Sequence, residues 1–358
     1  MQAQNYKLNF AGQNIYVGLD THLKSWKVTI MLEKLMLKTF VQNPEPEKLV
    51  EHLKQNYPGA KYYSAYEASY CGFWIHKKLL ALGVNNIVVN PADIPTTDKE
   101  KKQKEDKRDS RKIARELQKG DLVGIYVPSD ENLEDRALLR LRETMTGDLV
   151  RYKNRVKSTL HFYGIKIPEE FAKSSYWSKR FIKWLEDLKF KQESGNKKME
   201  MLLNQVKSLR ASLLTLTREI KKLSQTEKYK TNVELLLSVP GIGLIFAMVL
   251  LTELDIIKRF DDFDHLCGYV GLVPSTGSTG DKEIVRGITP RENHSLRTMI
   301  IESAWVAIRV DPVLSLAYAK YSKQRHENKA IIKIARKLLN RIYYVLRTKN
   351  KYVLGVVK

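Results

Sequence analysis

Four carboxylates stand where they could act on one centre. Asp20 follows directly on "YVGL", Glu67 lies near the end of "AKYYSAYEA", and Asp106 and Asp109 are three apart in "EDKRDSRKIA". A spacing of three puts both aspartates on one face of a helix, and the other two fall at strand ends that can be neighbours in a sheet. Four hard oxygen donors repel one another unless a cation joins them. Mg²⁺ or Mn²⁺ suits such a set, taking carboxylates while keeping waters for phosphate. Two such ions about 4 Å apart can activate an attacking oxygen and stabilise a leaving one in phosphodiester cleavage. Taken singly, each residue has a plainer reading: Asp20 as a turn residue, Glu67 as a surface carboxylate, Asp106 or Asp109 as a helix cap.

Two glycine-bearing stretches carry further chemistry. "GLVPSTGSTGDK", Gly271 to Lys282, offers the hydroxyls of Ser275, Thr276, Ser278 and Thr279 on a loop, with Lys282 and Arg286 close behind. Cations and backbone amides there can hold a phosphodiester, although a serine is a poor nucleophile until a base or metal activates it. On composition alone the stretch reads as a flexible surface loop. "SVPGIG", Ser238 to Gly243, resembles a helix-hairpin-helix turn, whose amides and following helix N-terminus can hold a DNA phosphate. Pro240, Gly241 and Gly243 are equally what a plain interhelical turn needs.

The elements that must position these residues are legible as periodicities. Ile15, Val17 and Leu19, then Trp26, Val28 and Ile30, alternate with polar residues, and three strands fit the first segment. "PEPEKLVEHLKQNYPG" has helical spacing, "AKYYSAYEA" is a strand, a helix follows around Cys71 to Leu82, and "VNNIVVN" is a buried strand. Strand, strand, strand, helix, strand, helix, strand is the order of the RNase H-like α/β fold, although other α/β folds begin the same way. After the charged run from Thr97 to Lys112, Leu138 to Leu160 describe a long amphipathic helix. Met199, Leu202, Val206, Leu209, Leu213, Leu216, Ile220 and Leu223 step by three and four, as in a coiled-coil seam. An antiparallel intramolecular pair and a dimerisation stalk both fit that seam. From Asn232 onward apolar helical runs form a separate, mainly α-helical part. It ends in Lys320 to Lys358, with twelve Lys and Arg against Glu327 alone, read as a helix with one face packed and the other on phosphate.

The bulk properties agree. The 358 residues suggest two compact domains with a connector, and a net charge of +22 calls for a polyanion, nucleic acid before membrane. Cys71 and Cys267, in apolar segments without paired spacing, argue for a reducing compartment and against zinc. No signal-peptide pattern opens the chain, and the longest apolar stretch, Val239 to Leu251, is short of the ~20 residues of a membrane span. A cytoplasmic protein without membrane contact is expected.

The motifs together resemble a family. "YVGLD", "YEAS" and "EDKRDSRKIA" in the first half, and "LLSVPGIG", "YVGLVPSTGSTGDK" and "HSLRTMIIESAW" in the second, are similar in order and spacing to those of insertion sequence 110 family transposases, the DEDD or bridge-RNA-guided recombinases. The resemblance implies a RuvC-like domain over 13–130 whose Asp20, Glu67, Asp106 and Asp109 bind Mg²⁺ (Mn²⁺ as a substitute). It implies long helices and a coiled coil for assembly over 131–230, and over 231–358 a transposase domain whose Ser278 forms a covalent 5′-phosphoserine link. Nucleic acid is expected on Gly241, Gly243, Lys282, Arg286 and Arg297. The implied partners are donor and target DNA, a structured noncoding guide RNA from the same element, and further copies of the chain as a dimer of dimers, in a nucleoid-associated bacterial or archaeal setting. "PRENHS" departs from the family's usual run after "GIT", and Ser275 stands where a basic residue is usual. Two competing readings are a RuvC-like Holliday-junction endonuclease using metal-activated water, and a noncatalytic packaging protein.

Overall fold

Alternating apolar residues place Ile15, Val17, Leu19, Trp26, Val28 and Ile30 on one fully buried sheet face. The computed structural model describes residues 9–95, 106–171, 176–279, 282–324 and 326–355. Two compact units divide the chain, 1–127 and 128–358.

In the first unit β1 (Asn14–Thr21), β2 (Trp26–Leu32) and β3 (Leu35–Gln42) form an antiparallel meander. Helix α1 (Pro46–Asn56) crosses over so that β4 (Lys61–Glu67) returns parallel to β1, and α2 (Trp74–Ala81) repeats the move for β5 (Asn85–Val89). The strand order β3-β2-β1-β4-β5 with these directions is that of the RNase H-like fold. Leu49 and Leu53 of α1 and Ile75 and Leu79 of α2 cover the apolar face.

The opposite face is covered by α3 (Asp106–Lys119), and it comes very close. A Cβ on Gly18 would lie 2.0 Å from the Ser110 carbonyl oxygen and 2.4 Å from the Ala114 amide nitrogen, so the glycine is a condition of the contact. The Ser110 hydroxyl, fully buried, lies 3.0 Å from that of Thr29, itself 3.1 Å from Thr39, which ties α3 to β2 and β3. Ile113 closes a small core with Ala65, Val89 and Ile94.

The second unit begins with α4 (Asp130–Phe162), capped by Ser129, whose hydroxyl accepts from the Asn132 amide at 3.1 Å. After α5 (Lys179–Asp187), α6 (Glu193–Leu223) runs back along α4. The direction is antiparallel: Arg142 reaches Thr217 at 3.1 Å, while Val156 and Leu160 share a small core with Met199 and Leu203. Of the residues in the sequence seam, Leu209, Leu213 and Leu216 are half-buried. The helices α7 (Lys230–Leu237), α8 (Leu244–Leu254) and α9 (Phe263–Val270), the hairpin β6 (Pro274–Thr279) and β7 (Lys282–Ile288), and α10 (His294–Val310), α11 (Pro312–Gln324) and α12 (Glu327–Thr348) complete the unit. A second, larger core joins these helices to Leu139 of α4 and Ile220 of α6. Glu253 of α8, 3% exposed, receives Arg140 through two bonds of 2.7 and 3.0 Å and Asn293 at 3.0 Å, while Arg136 donates to the Thr252 carbonyl at 2.9 Å. A buried carboxylate is tolerated when paired in this way. No helix among the described residues is long and apolar enough to cross a membrane.

Gly18→Ala is therefore expected to destabilise the first unit by about 3 kcal/mol or more, because the clashing atoms are helix backbone and cannot turn aside. Gly268→Ala, inside α9 with no atom within 4 Å of the new Cβ, is the matched control and should be neutral or stabilising. Thermal melts of the two variants make the comparison.

Candidate active site

Leu19 of β1 pairs with Tyr66 of β4, so Asp20 and Glu67 occupy the next step on adjacent parallel strands. Alternation places them on the same face as Gly18 and Ala65, the face on which α3 lies. Glu67 is half-buried at its strand end. Helix α3 brings Asp109, also half-buried, to this corner, and its charge acts on Asp20. Asp106 lies one turn earlier at the start of α3, and its side chain is outside the described residues.

Asp20 carries the physical signature of the site. Its Oδ1 lies 3.1 Å from His22 Nε2, while its Oδ2 is buried with no hydrogen-bond partner. Burial pushes the pKa of the carboxyl up and Asp109 adds to the rise, against the opposing pull of His22 and Lys27. A buried oxygen without a donor is costly, and a second carboxylate beside it adds repulsion. The donor chemistry fits a divalent cation, which would satisfy the orphaned oxygen and offset the repulsion. Among the described residues, no three His, Cys, Asp or Glu side chains are gathered tightly enough to hold an ion by themselves. The sequence reading passed over His22, whose position two residues beyond Asp20 in extended chain was the available signal.

The serine-bearing stretch is a hairpin rather than the loop expected from composition. Ser278 pairs with Glu283 and Thr279 with Lys282, and the register shifts between Pro274 and Thr276, at Ser275. Lys282 and Arg286 are both in β7; the side chains of Ser278, Lys282 and Arg286 lie outside the described residues. Arg297 closes the base of this hairpin. Its Nη1 donates to the Thr289 carbonyl at 2.7 Å and the Gly271 carbonyl at 3.3 Å, and its Nε pairs with Glu292. Its donors face protein carbonyls and a carboxylate. Asn293, in the "PRENHS" departure, caps α10 by accepting from the Leu296 amide at 3.2 Å.

Gly241 has φ +83°, and a Cβ there would lie 2.3 Å from the Ser303 carbonyl oxygen, so packing on α10 already requires a glycine. Gly243 is exposed at the start of α8, with no atom within 4 Å of a Cβ built on it. The basic C-terminal helix departs from expectation in its arginines. Arg336 reaches the Leu272 carbonyl at 3.2 Å and pairs with Asp264, Arg341 donates to Tyr352 at 2.9 Å, and Arg347 donates to the Asp261 carbonyl at 3.4 Å. These arginines fasten α12 to the protein; Lys329 and Lys337 remain exposed.

Comparison with known proteins covers both halves of the chain. Residues 17–165 match the family model DEDD_Tnp_IS110, described as a transposase, and residues 233–319 match the model described as the transposase IS116/IS110/IS902 family. The chain is 28% identical to the protein y4rJ of Sinorhizobium fredii, over 76% of this chain and 74% of that protein. It is 26% identical to the transposase for insertion sequence element IS1533 of Leptospira borgpetersenii, over 82% and 85% of the two chains. With the transposase for insertion sequence element IS1111A of Coxiella burnetii it shares 24% identity, over 78% and 76%. The two family matches, one over the carboxylate-bearing RNase H-like unit and one over the second half, together with these relatives, place the protein in the IS110 family of transposases, enzymes that cleave and rejoin DNA.

Proposed function

We propose that the chain cuts and rejoins donor and target DNA with a metal-binding carboxylate tetrad, Asp20, Glu67, Asp106 and Asp109, and a serine nucleophile, Ser278. The observation that supports the tetrad best is the buried, partnerless Oδ2 of Asp20 with Asp109 acting on it. Mg²⁺, with Mn²⁺ as a substitute, supplies Lewis acidity toward the phosphate when bound. Asp20 and Glu67 hold their oxygens on rigid strand ends, and α3 fixes Asp109 against them. His22 orients the Asp20 carboxylate through Oδ1.

In the covalent step the Ser278 oxygen attacks phosphorus, its proton leaving to solvent or a nearby base. The bond from phosphorus to the 3′ oxygen breaks, and that oxygen leaves as a 3′ hydroxyl, with the 5′ phosphate on Ser278. Attack by another strand's 3′ hydroxyl reverses the step and frees the serine. Lys282 and Arg286, on β7 of the same hairpin, are assigned to the phosphate, and Arg297 to anchoring the hairpin base. Gly243 at the start of α8, with the Gly241 turn before it, is assigned to the DNA backbone in helix-hairpin-helix fashion. The three functional parts are residues 13–130, 131–230 and 231–358. The half-buried seam of α6 supports assembly through the helix pair into a dimer of dimers. The net charge of +22 supports a noncoding guide RNA as the partner that selects sites by base pairing.

Asp20→Asn is expected to abolish strand cleavage yet melt no earlier than the wild type, since it removes a buried charge. Millimolar Mg²⁺ or Mn²⁺ should raise the melting temperature of the wild type and leave the variant unmoved; equal shifts would refute the tetrad. Ser278→Ala should eliminate covalent protein–DNA adducts in a denaturing gel, and adducts at normal level would favour the metal-activated-water reading. RNA recovered from protein co-expressed with its flanking DNA, after a high-salt wash, should be a single discrete species from that flank. Random fragments would sink the guide.

A further inference from the structure

The small core of the second unit supports a surface that none of these assignments uses. Residues 151–210 hold fifteen Lys and Arg against six Asp and Glu. Lys153 and Lys157 stand one turn apart on α4, and Arg210 of α6 acts on Lys153. The Lys153 ammonium lies 5.4 Å from the centre of the Trp177 ring, and that of Lys157 4.6 Å from Tyr176. Arg210 donates to the Trp177 carbonyl at 2.8 Å, holding a residue whose φ is +66°. Both rings stand edge-on against the fully buried Phe181, which fixes their orientation.

Among the described residues no carboxylate pairs with these three cations. Three of the six acids in this segment are engaged by other cations: Glu186 by Lys207, Glu200 by Lys197, Glu170 by Arg180. Burial, and then the charges of Arg210 and Lys157, lower the pKa of Lys153. Three like charges gathered on rigid supports without a counter-charge make a site for an anion. Aromatic rings under lysine stems hold the ammonium groups in place, which reduces the ordering cost on binding.

We propose that Lys153, Lys157 and Arg210, on their platform of Trp177 and Tyr176, form a docking surface for the phosphate backbone of duplex DNA, the polymer the family cuts and rejoins. The surface is independent of the metal and of Ser278. A duplex presents one charge per ~3.4 Å of axis on each strand, so neighbouring phosphates can meet the three cations together. Duplex RNA shares this chemistry and is the competing occupant.

The test uses the full chain in EDTA, so that no strand is cut. Fluorescence anisotropy is read with labelled duplexes of one arbitrary sequence, as DNA and as RNA, across a NaCl series. Lys153→Gln with Lys157→Gln should weaken binding about tenfold near physiological salt. The plot of log K against log salt should become shallower by roughly 2, one unit for each lost phosphate contact. Lys153→Arg with Lys157→Arg should restore both. A loss on DNA, with or without one on RNA, supports the proposal. A slope unchanged on DNA overturns it, whatever RNA shows. So does an equal loss in Arg155→Gln with Lys198→Gln, in which Arg155 lies on the opposite side of α4. If the double variant melts early, Lys157→Gln alone, at an exposed position, should reduce the slope by roughly 1.

Discussion

Backbone against backbone at Gly18 is the contact on which the first unit depends. Helix α3 can rest its Ser110 carbonyl and Ala114 amide on β1 because nothing projects from residue 18. That approach seals Ile113 into its core, buries Ser110 against Thr29, and sets Asp109 where its charge reaches Asp20. The geometry that stabilises the fold thereby creates an electrostatic problem at its edge. Asp20 loses water and gains a like-charged neighbour, with partial relief from His22. Packing and charge pull in opposite directions at this corner, and a bound cation would reconcile them.

The second unit meets its own charge problems with its own residues. Glu253 is buried and answered by Arg140 and Asn293. Arg297 joins the two ends of the β6–β7 hairpin to α10, so the strand that carries Ser278 starts from a fixed base. Along α12, arginines reach Asp264, the Leu272 carbonyl and Tyr352. Three arginines of the basic helix are thus engaged by the protein itself. Net charge read from a sequence counts every arginine; the structure shows which are already engaged.

Where period and burial coincide, the sequence was sufficient. Ile15, Val17 and Leu19 alternate and are fully buried; the charged start of α3 and the long helices fall where their spacing put them. Other features had no periodic trace. Strand β6 reads PSTGST, small hydroxyls without apolar alternation, so it looked like a loop although it pairs with β7. Leu203 is buried more deeply than the seam residue Leu202, because the small core over α5 takes α6 slightly off the seam. Arg336 meets a carboxylate 72 residues away, and no local pattern announces such a partner. At the carboxylate site, Asp20 and Glu67 were placed by strand order. The role of Gly18 was hidden, since a glycine in "YVGLD" looks the same whether or not a helix lies on it.

The clamp of Arg136 and Arg140 on α8 also has a mechanical meaning. From Arg136 to Leu160, where the small core sits, α4 runs 24 residues, about 36 Å at 1.5 Å per residue. Seen as a beam fixed at one end, the helix pair converts a tilt of about 10° at the clamp into a sweep of about 6 Å at its tip, roughly two base-pair rises of ~3.4 Å each. Stiffness where Arg140 of α4 meets Glu253 of α8 thus limits how far the tip of the helix pair can swing.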